Sequence, residues 1–362
     1  MKHAQPLKFL APGWFSVVMG LTGLALAWRG AEAVFGDTAA GVSLVLGAFA
    51  ALTLLVLLAL SVVRAQRYPA ALAEDLRHPV RHAFVATVPV GLLLLSAWLV
   101  SLGLTDGWVT AVWTLGALAQ VWVTVWVLKR WLVPTPMLPP VSAPAGLQSL
   151  IDGAQLSAPV AKPATAPPAF WPVVTPVLLI PVVGNVLAPM AGVPLGHGVW
   201  AMAQFGIGVV LWPVVLALLF VRRAAQGALP DRLLPTWFIA VAPPSVIGLV
   251  WVQSQAPVAW VAGAWGVAAF FLLLVGTLAR QIVAQPFSLP FWGLSFPLAA
   301  FTSLTLHLAR LSGSSGVQML GTLMLALTSL VVCGLCLATV RGLREGSLLA
   351  PEPVAAIVPA GQ

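Results

Sequence analysis

Residues 39–63 read "AAGVSLVLGAFAALTLLVLLALSVV", one run without an ionisable side chain. A helix needs about 20 mostly apolar residues to cross the hydrocarbon of a bilayer. Runs of this kind recur at 11–31, 39–63, 83–104, 108–132, 169–190, 198–220, 235–253, 257–281, 291–310 and 315–340. The pattern predicts an all-α polytopic membrane protein with ten spans. Composition supports it: only 7% of the 362 residues are charged, against roughly 25% in a soluble domain. Too little polar surface is left to cover a water-facing exterior.

The loops set an orientation. Of the 17 Lys and Arg residues, all but Arg29 and Arg310 fall on one side of the ten-span arrangement. Positive residues accumulate on the cytoplasmic side, so both termini are expected in the cytoplasm. The formal charge of +8 then reflects topology and carries no nucleic-acid signal. Residues 1–10 read as a cytoplasmic N-terminus and 11–342 as the membrane domain. Within it, 133–168 is a Pro- and Ala-rich cytoplasmic linker, and 343–362 is a disordered tail.

A device recurs on alternate spans. "FVATVP" (Phe84 to Pro89), "WPVVTP" (Trp171 to Pro176), "FIAVAP" (Phe238 to Pro243) and "WGLSFP" (Trp292 to Pro297) each place an aromatic, four residues, then Pro near the start of a span. The first span keeps its aromatics, Trp14 and Phe15, but has Met19 where proline would fall. Proline removes a backbone donor and bends a helix, which membranes tolerate where protein or a wet cavity satisfies the freed groups. The repeat predicts five helical hairpins with quasi-fivefold symmetry. Kinked inner helices carrying Pro89, Pro176, Pro243 and Pro297 would surround a central pore, and plain helices would face lipid. Phe15, Phe84, Trp171, Phe238 and Trp292 are candidate pore aromatics, or alternatively anchors at the membrane interface.

No Asp, Glu, Lys or Arg lies near the middle of any expected span. That argues against a carboxylate relay coupled to protons or sodium and favours anions over cations. His307 and Arg310, at the far end of the ninth span, are candidates for an outer vestibule. Cys333 and Cys336 stand in an apolar run where thiolates are disfavoured, and His78 and His82 lack further ligands, so no metal site is expected. No set of catalytic residues converges, so an enzyme is not expected, nor a cofactor.

The stretches "PGWFSVVMGLTGLALAWR", "DLRHPVRHAFVATVP" and "WGLSFPLAAFTSLTL" resemble the tellurite-resistance/dicarboxylate transporter family. These TehA-like proteins include bacterial homologues of the plant slow anion channels, and fungal malate and sulfite transporters. The resemblance runs over about residues 10–342. The 133–168 linker is longer than expected for the family, and the first span lacks its proline. The resemblance implies ten helices around a pore, a homotrimer with one pore per subunit, and a phenylalanine on the ninth helix that plugs the pore. That position falls on Phe296, with Pro297 setting its direction. The function implied is an anion channel or channel-like transporter passing small inorganic or organic anions. The alternative is an ion-coupled secondary transporter of four-carbon dicarboxylates such as malate, or an exporter of tellurite or sulfite.

Overall fold

The computed structural model describes residues 6–132 and 171–350. The 133–168 linker and the tail beyond 350 lie outside the described residues. Hydrocarbon offers the backbone no water to bond, so a chain this apolar must satisfy its N–H and C=O groups within helices. The helices are α1 (Ser16–Gly30), α2 (Glu32–Phe35), α3 (Asp37–Arg67), α4 (Pro69–Arg77), α5 (Thr87–Ser101), α6 (Gly107–Leu132), α7 (Leu179–Val183), α8 (Ala188–Gly192), α9 (Gly198–Gln226), α10 (Ala242–Gln253), α11 (Val258–Gly276), α12 (Ala279–Val283), α13 (Ser295–Ser312) and α14 (Ser315–Arg344). No strand occurs among the described residues.

Eight helical stretches among the described residues are long and apolar enough to cross a membrane, where the sequence predicts ten. The two that differ are the first and fifth. The first is a 3-10 turn, Pro12–Phe15, followed by the 15-residue α1. The fifth is a stack of short pieces over Pro176–Gly192, in which α7 and α8 are separated by the 3-10 turn Gly184–Leu187. Pro176, Pro181 and Pro189 each withdraw a backbone donor, so no long α-helical ladder can form there. At the other end of the chain, α14 runs to Arg344, beyond the expected limit of 340.

Burial divides the long stretches into two sets. In the most apolar part of each, Arg81–Ser101, Asp231–Gln253 and Leu289–Ser312 are 72%, 83% and 78% buried. Asp37–Arg67, Gly107–Arg130, Gly198–Gln226, Val258–Gly276 and Ser315–Arg344 are only 22–39% buried. The two sets alternate along the chain once the short, buried Pro176–Gly192 segment is counted between Gly107–Arg130 and Gly198–Gln226. Among the buried helices, α1 packs on α5 and α13, α5 on α8, and α10 on α8 and α13, which closes a ring. The less buried helices carry the exposed large apolar side chains, such as Val45, Leu115, Val199, Leu273 and Leu330.

Indole N–H groups tie the inner helices to the outer ones. Trp98 of α5 donates to Ser43 Oγ of α3 at 3.3 Å, and Trp113 of α6 to the Ala188 carbonyl of α8 at 3.0 Å. Trp265 of α11 donates to Thr305 Oγ1 of α13 at 2.9 Å, and Trp28 of α1 to Ser329 Oγ of α14 at 3.1 Å. The last contact joins the first inner helix to the final helix among the described residues. Hydrogen bonds of this type between membrane helices contribute about 0.6 kcal/mol each; their repetition fixes register.

The broken fifth segment has its own support. Gln120 and Thr124 of α6 both donate to the Pro181 carbonyl, at 2.7 and 2.5 Å. Asn185 Nδ2 donates to Thr124 Oγ1 at 2.8 Å, and Gln204 Nε2 of α9 donates to Asn185 Oδ1 at 3.2 Å. These buried amides and hydroxyls replace bonds that a regular helix would have made for itself.

Candidate functional site

Inner helices begin alike. An aromatic-bearing 3-10 segment leads into each: Pro12–Phe15, Arg81–Ala86, Trp171–Val173, Asp231–Val241 and Leu289–Leu294. In four of them a hydroxyl donates to the carbonyl three residues back. Ser16 bonds to Gly13 at 2.6 Å, Thr87 to Phe84 at 2.6 Å, Thr236 to Leu233 at 2.5 Å and Ser295 to Trp292 at 2.6 Å. The prolines stand at the entry to the following helix. Pro89 and Pro297 are third in α5 and α13, Pro243 is second in α10, and Pro176 opens the 3-10 turn Pro176–Leu178. The helices that carry Pro89, Pro243 and Pro297 each follow directly on a 3-10 segment, so each of these prolines removes an N–H that would bond a carbonyl one turn back, whereas Pro176 opens its turn, where no such bond is due. The repeated prolines thus mark where 3-10 winding gives way to α-helix.

Inside the ring lies a cavity of about 440 Å³. Its wall comes from α1, α5, α8 and the turn after it, α10 and α13. It opens toward what we call the distal end, where the turns following α1, α5, α8, α10 and α13 lie. Gly23, Leu26, Leu94, Ala97, Val246, Leu249 and Ala300 supply its apolar surface. Arg29, His307 and Arg310 are the ionisable lining residues, and no carboxylate lines it among the described residues. A second cavity, of about 30 Å³, lies on the proximal side between Ser16, Met19, Phe84, Thr236, Trp292 and Pro297.

One residue lines both cavities: Phe296. It is buried, at 7% exposure, between Ser295 and Pro297 in the first turn of α13. Gly23 of α1 faces it. A Cβ at Gly23 would stand 3.0 Å from Phe296 Cδ2 and 3.2 Å from Ala299 Cβ. The absent side chain makes room for the ring.

The other sequence candidates separate into groups. Phe84 and Trp292 line the small proximal cavity, and the Trp292 indole donates to Thr339 Oγ1 at 3.0 Å. Phe15 and Phe238 are buried in the apolar core, and Trp171 packs against it; none of the three lines either cavity. His307 and Arg310 both line the large cavity. Arg29, Gln253, Ser303 and Gly23 join them without having been singled out as lining residues. Arg29 had a signal, as one of only two basic residues on its side; the others are ordinary residues in apolar runs.

The proximal end is held by charge. Asp75 of α4 is buried and receives Arg64 of α3 at 2.6 Å and Arg81 at 2.9 Å. Arg81 also pairs with Glu74 at 2.9 Å, and Arg64 Nε donates to the Lys8 carbonyl at 3.0 Å. His78 Nδ1 accepts from the backbone N–H groups of Val80 and Arg81, both at 3.1 Å. Burial, then the Arg81 charge, push this imidazole down to about 4, with Glu74 opposing. It is neutral near pH 7 and caps the turn that starts the second inner segment. His82 Nδ1 lies 2.9 Å from the His78 carbonyl.

A ring of buried helices around a basic, carboxylate-free cavity, with an apolar outer surface, is the arrangement of a membrane channel or transporter for anions. Residues 10–340 match the SLAC1 family, described as voltage-dependent anion channel, and the chain belongs to that family. An uncharacterized transporter of Methanocaldococcus jannaschii is 25% identical over 323 residues, which cover 82% of this chain and 83% of that protein. The S-type anion channel SLAH3 of Arabidopsis thaliana is 24% identical over 169 residues, 46% of this chain and 27% of the plant protein. SLAH2 of the same plant is 26% identical over 135 residues. The chain thus matches only about a quarter of each plant channel's length. Members of this family are anion channels or transporters and not enzymes.

Proposed function

We propose that this protein is an anion channel or channel-like transporter whose pore is closed by the Phe296 ring. The observation that carries the reading is that Phe296 is the one side chain shared by the walls of both cavities. A ring across a narrow apolar passage blocks it sterically and excludes water. Pro297, the residue after it in the first turn of α13, directs the ring. The first and fifth segments complete the membrane domain 11–342 as interrupted spans, giving ten helices in five hairpins with quasi-fivefold symmetry. Both termini and the 133–168 linker lie in the cytoplasm of a bacterial inner membrane. Three copies assemble as a homotrimer in the bilayer, each with its own pore.

The permeant species are small inorganic or organic anions. Support comes from the basic and carboxylate-free lining of the large cavity. The test is Phe296→Ala in planar bilayers under chloride, nitrate, malate and sulfite gradients. Anion current is expected to rise roughly tenfold or more, equal to about 1.4 kcal/mol off the barrier, and its reversal potential should follow the anion gradient. Saturable uptake that requires a proton or sodium gradient would replace this reading with a coupled carrier of four-carbon dicarboxylates, tellurite or sulfite.

A further inference from the structure

The ionisable lining of the large cavity is unequal in its commitments. Arg29 is engaged: Nη1 pairs with Glu32 at 2.8 Å and Nε donates to the Ser101 carbonyl at 3.1 Å. Arg310 is exposed at the cavity mouth and has no hydrogen bond or ion pair among the described residues. His307, one turn earlier on α13, holds the Ser303 carbonyl through Nδ1 at 2.8 Å. That contact requires the proton on Nδ1 and leaves Nε2 without a partner among the described residues. Gln253 of α10 lines the same space and is oriented by its Nε2 donating to the Pro189 carbonyl at 3.2 Å.

We propose that this distal vestibule is a docking site for oxyanions, organised by the free guanidinium of Arg310, which loads the pore with carboxylates and inorganic oxyanions in preference to halides. A guanidinium offers parallel N–H donors that match two oxygens of one anion; a spherical halide uses only one such direction. Phe296, Ala300, Ser303, His307 and Arg310 form one lining stripe on α13. Fourteen residues at 1.5 Å rise place Arg310 about 21 Å from the ring. At about 0.1 M salt the Debye length is about 10 Å, so Arg310 acts on capture at the mouth and not on the ring. The place of this site on a permeation path rests on the pore reading above; the docking itself does not.

Two experiments on the full chain test it. In the first, purified wild-type, Arg310→Lys and Arg310→Gln proteins are unfolded thermally in detergent with sodium malonate or sodium nitrate replacing sodium chloride at constant ionic strength. The wild type is expected to show a saturable rise in Tm with each oxyanion, relative to Arg310→Gln. Arg310→Lys, which keeps the charge but not the planar fork, should lose at least half of that rise. Equal responses in all three proteins would overturn the proposal. In the second, Arg310→Gln is placed in the Phe296→Ala background. Nitrate current is expected to fall roughly threefold at about 10 mM salt, with the deficit narrowing toward about 1 M, where the Debye length is about 3 Å. A deficit independent of salt would also overturn it. If Phe296→Ala passes no current, the pore reading fails while the thermal experiment still decides the docking site.

Discussion

The two sides of Phe296 are built on opposite principles. Distally there is space: a cavity of about 440 Å³ with three basic groups in its wall. Proximally the corresponding volume is about 30 Å³, lined by the 3-10 lead-ins with their aromatics Phe84 and Trp292, and the buried Arg64–Asp75–Arg81 cluster stands at this end of the fold. The difference bears on where the proposed pore would close. With the large cavity on the distal side, the gate proposed above falls to the Phe296 ring and the packing immediately beneath it. The proximal cluster holds the lead-ins in place and lies outside both cavities.

The largest effect on stability is expected from attacking the proximal end. Asp75→Asn leaves Arg64 buried with its charge uncompensated, and breaking a buried pair in this way costs about 3–5 kcal/mol. A large fall in Tm in detergent is expected; an unchanged Tm would mean that the cluster does not secure this end. A smaller effect tests the boundary. Gly23→Ala puts a methyl group against Phe296 and Ala299, and such overpacking costs about 1–3 kcal/mol. The cost should shrink when Phe296→Ala is present, because the new methyl group then meets a vacancy, and a double-mutant cycle would read the coupling. Additive effects would place the ring elsewhere than against Gly23.

The smallest effect concerns His78. Its pKa is lowered from 6.5 to about 4 in the fold, so protonation favours the unfolded chain. The stability this group contributes is complete above about pH 6.5 and is lost as pH falls toward about 4. Tm should therefore drop more between pH 7.5 and pH 5 in the wild type than in His78→Asn, whose side-chain oxygen can still accept the Val80 and Arg81 N–H groups. Equal drops would show that another group dominates the acid response.

Much of this division was legible in the sequence, because it is periodic. The aromatic–x4–Pro spacing marked the buried set of helices, and the 3-10 lead-ins now give that spacing a structural meaning. The two interrupted segments were less legible. Apolarity over 11–31 and 169–190 reads the same whether the helix is continuous or broken. The bonds that make a break tolerable come from Gln120, Thr124 and Gln204, isolated polar residues on other helices. Arg29 and Arg310 were visible as the two distal bases, but their sharing of one cavity with His307 depends on how α1 and α13 meet. Gly23 carried no signal, since its role is the space it leaves for a side chain remote in sequence. Phe296 was reached through its family resemblance; residue spacing alone singled out only its neighbour, Pro297.

The most direct measurement of the central claim is single-channel conductance across the series Phe296→Leu, Phe296→Val and Phe296→Ala, at matched surface expression. If the ring is the partition, conductance should rise stepwise as the side chain shrinks, with Phe296→Ala highest and the wild type lowest. A conductance that stays at the wild-type level across the series would contradict the account.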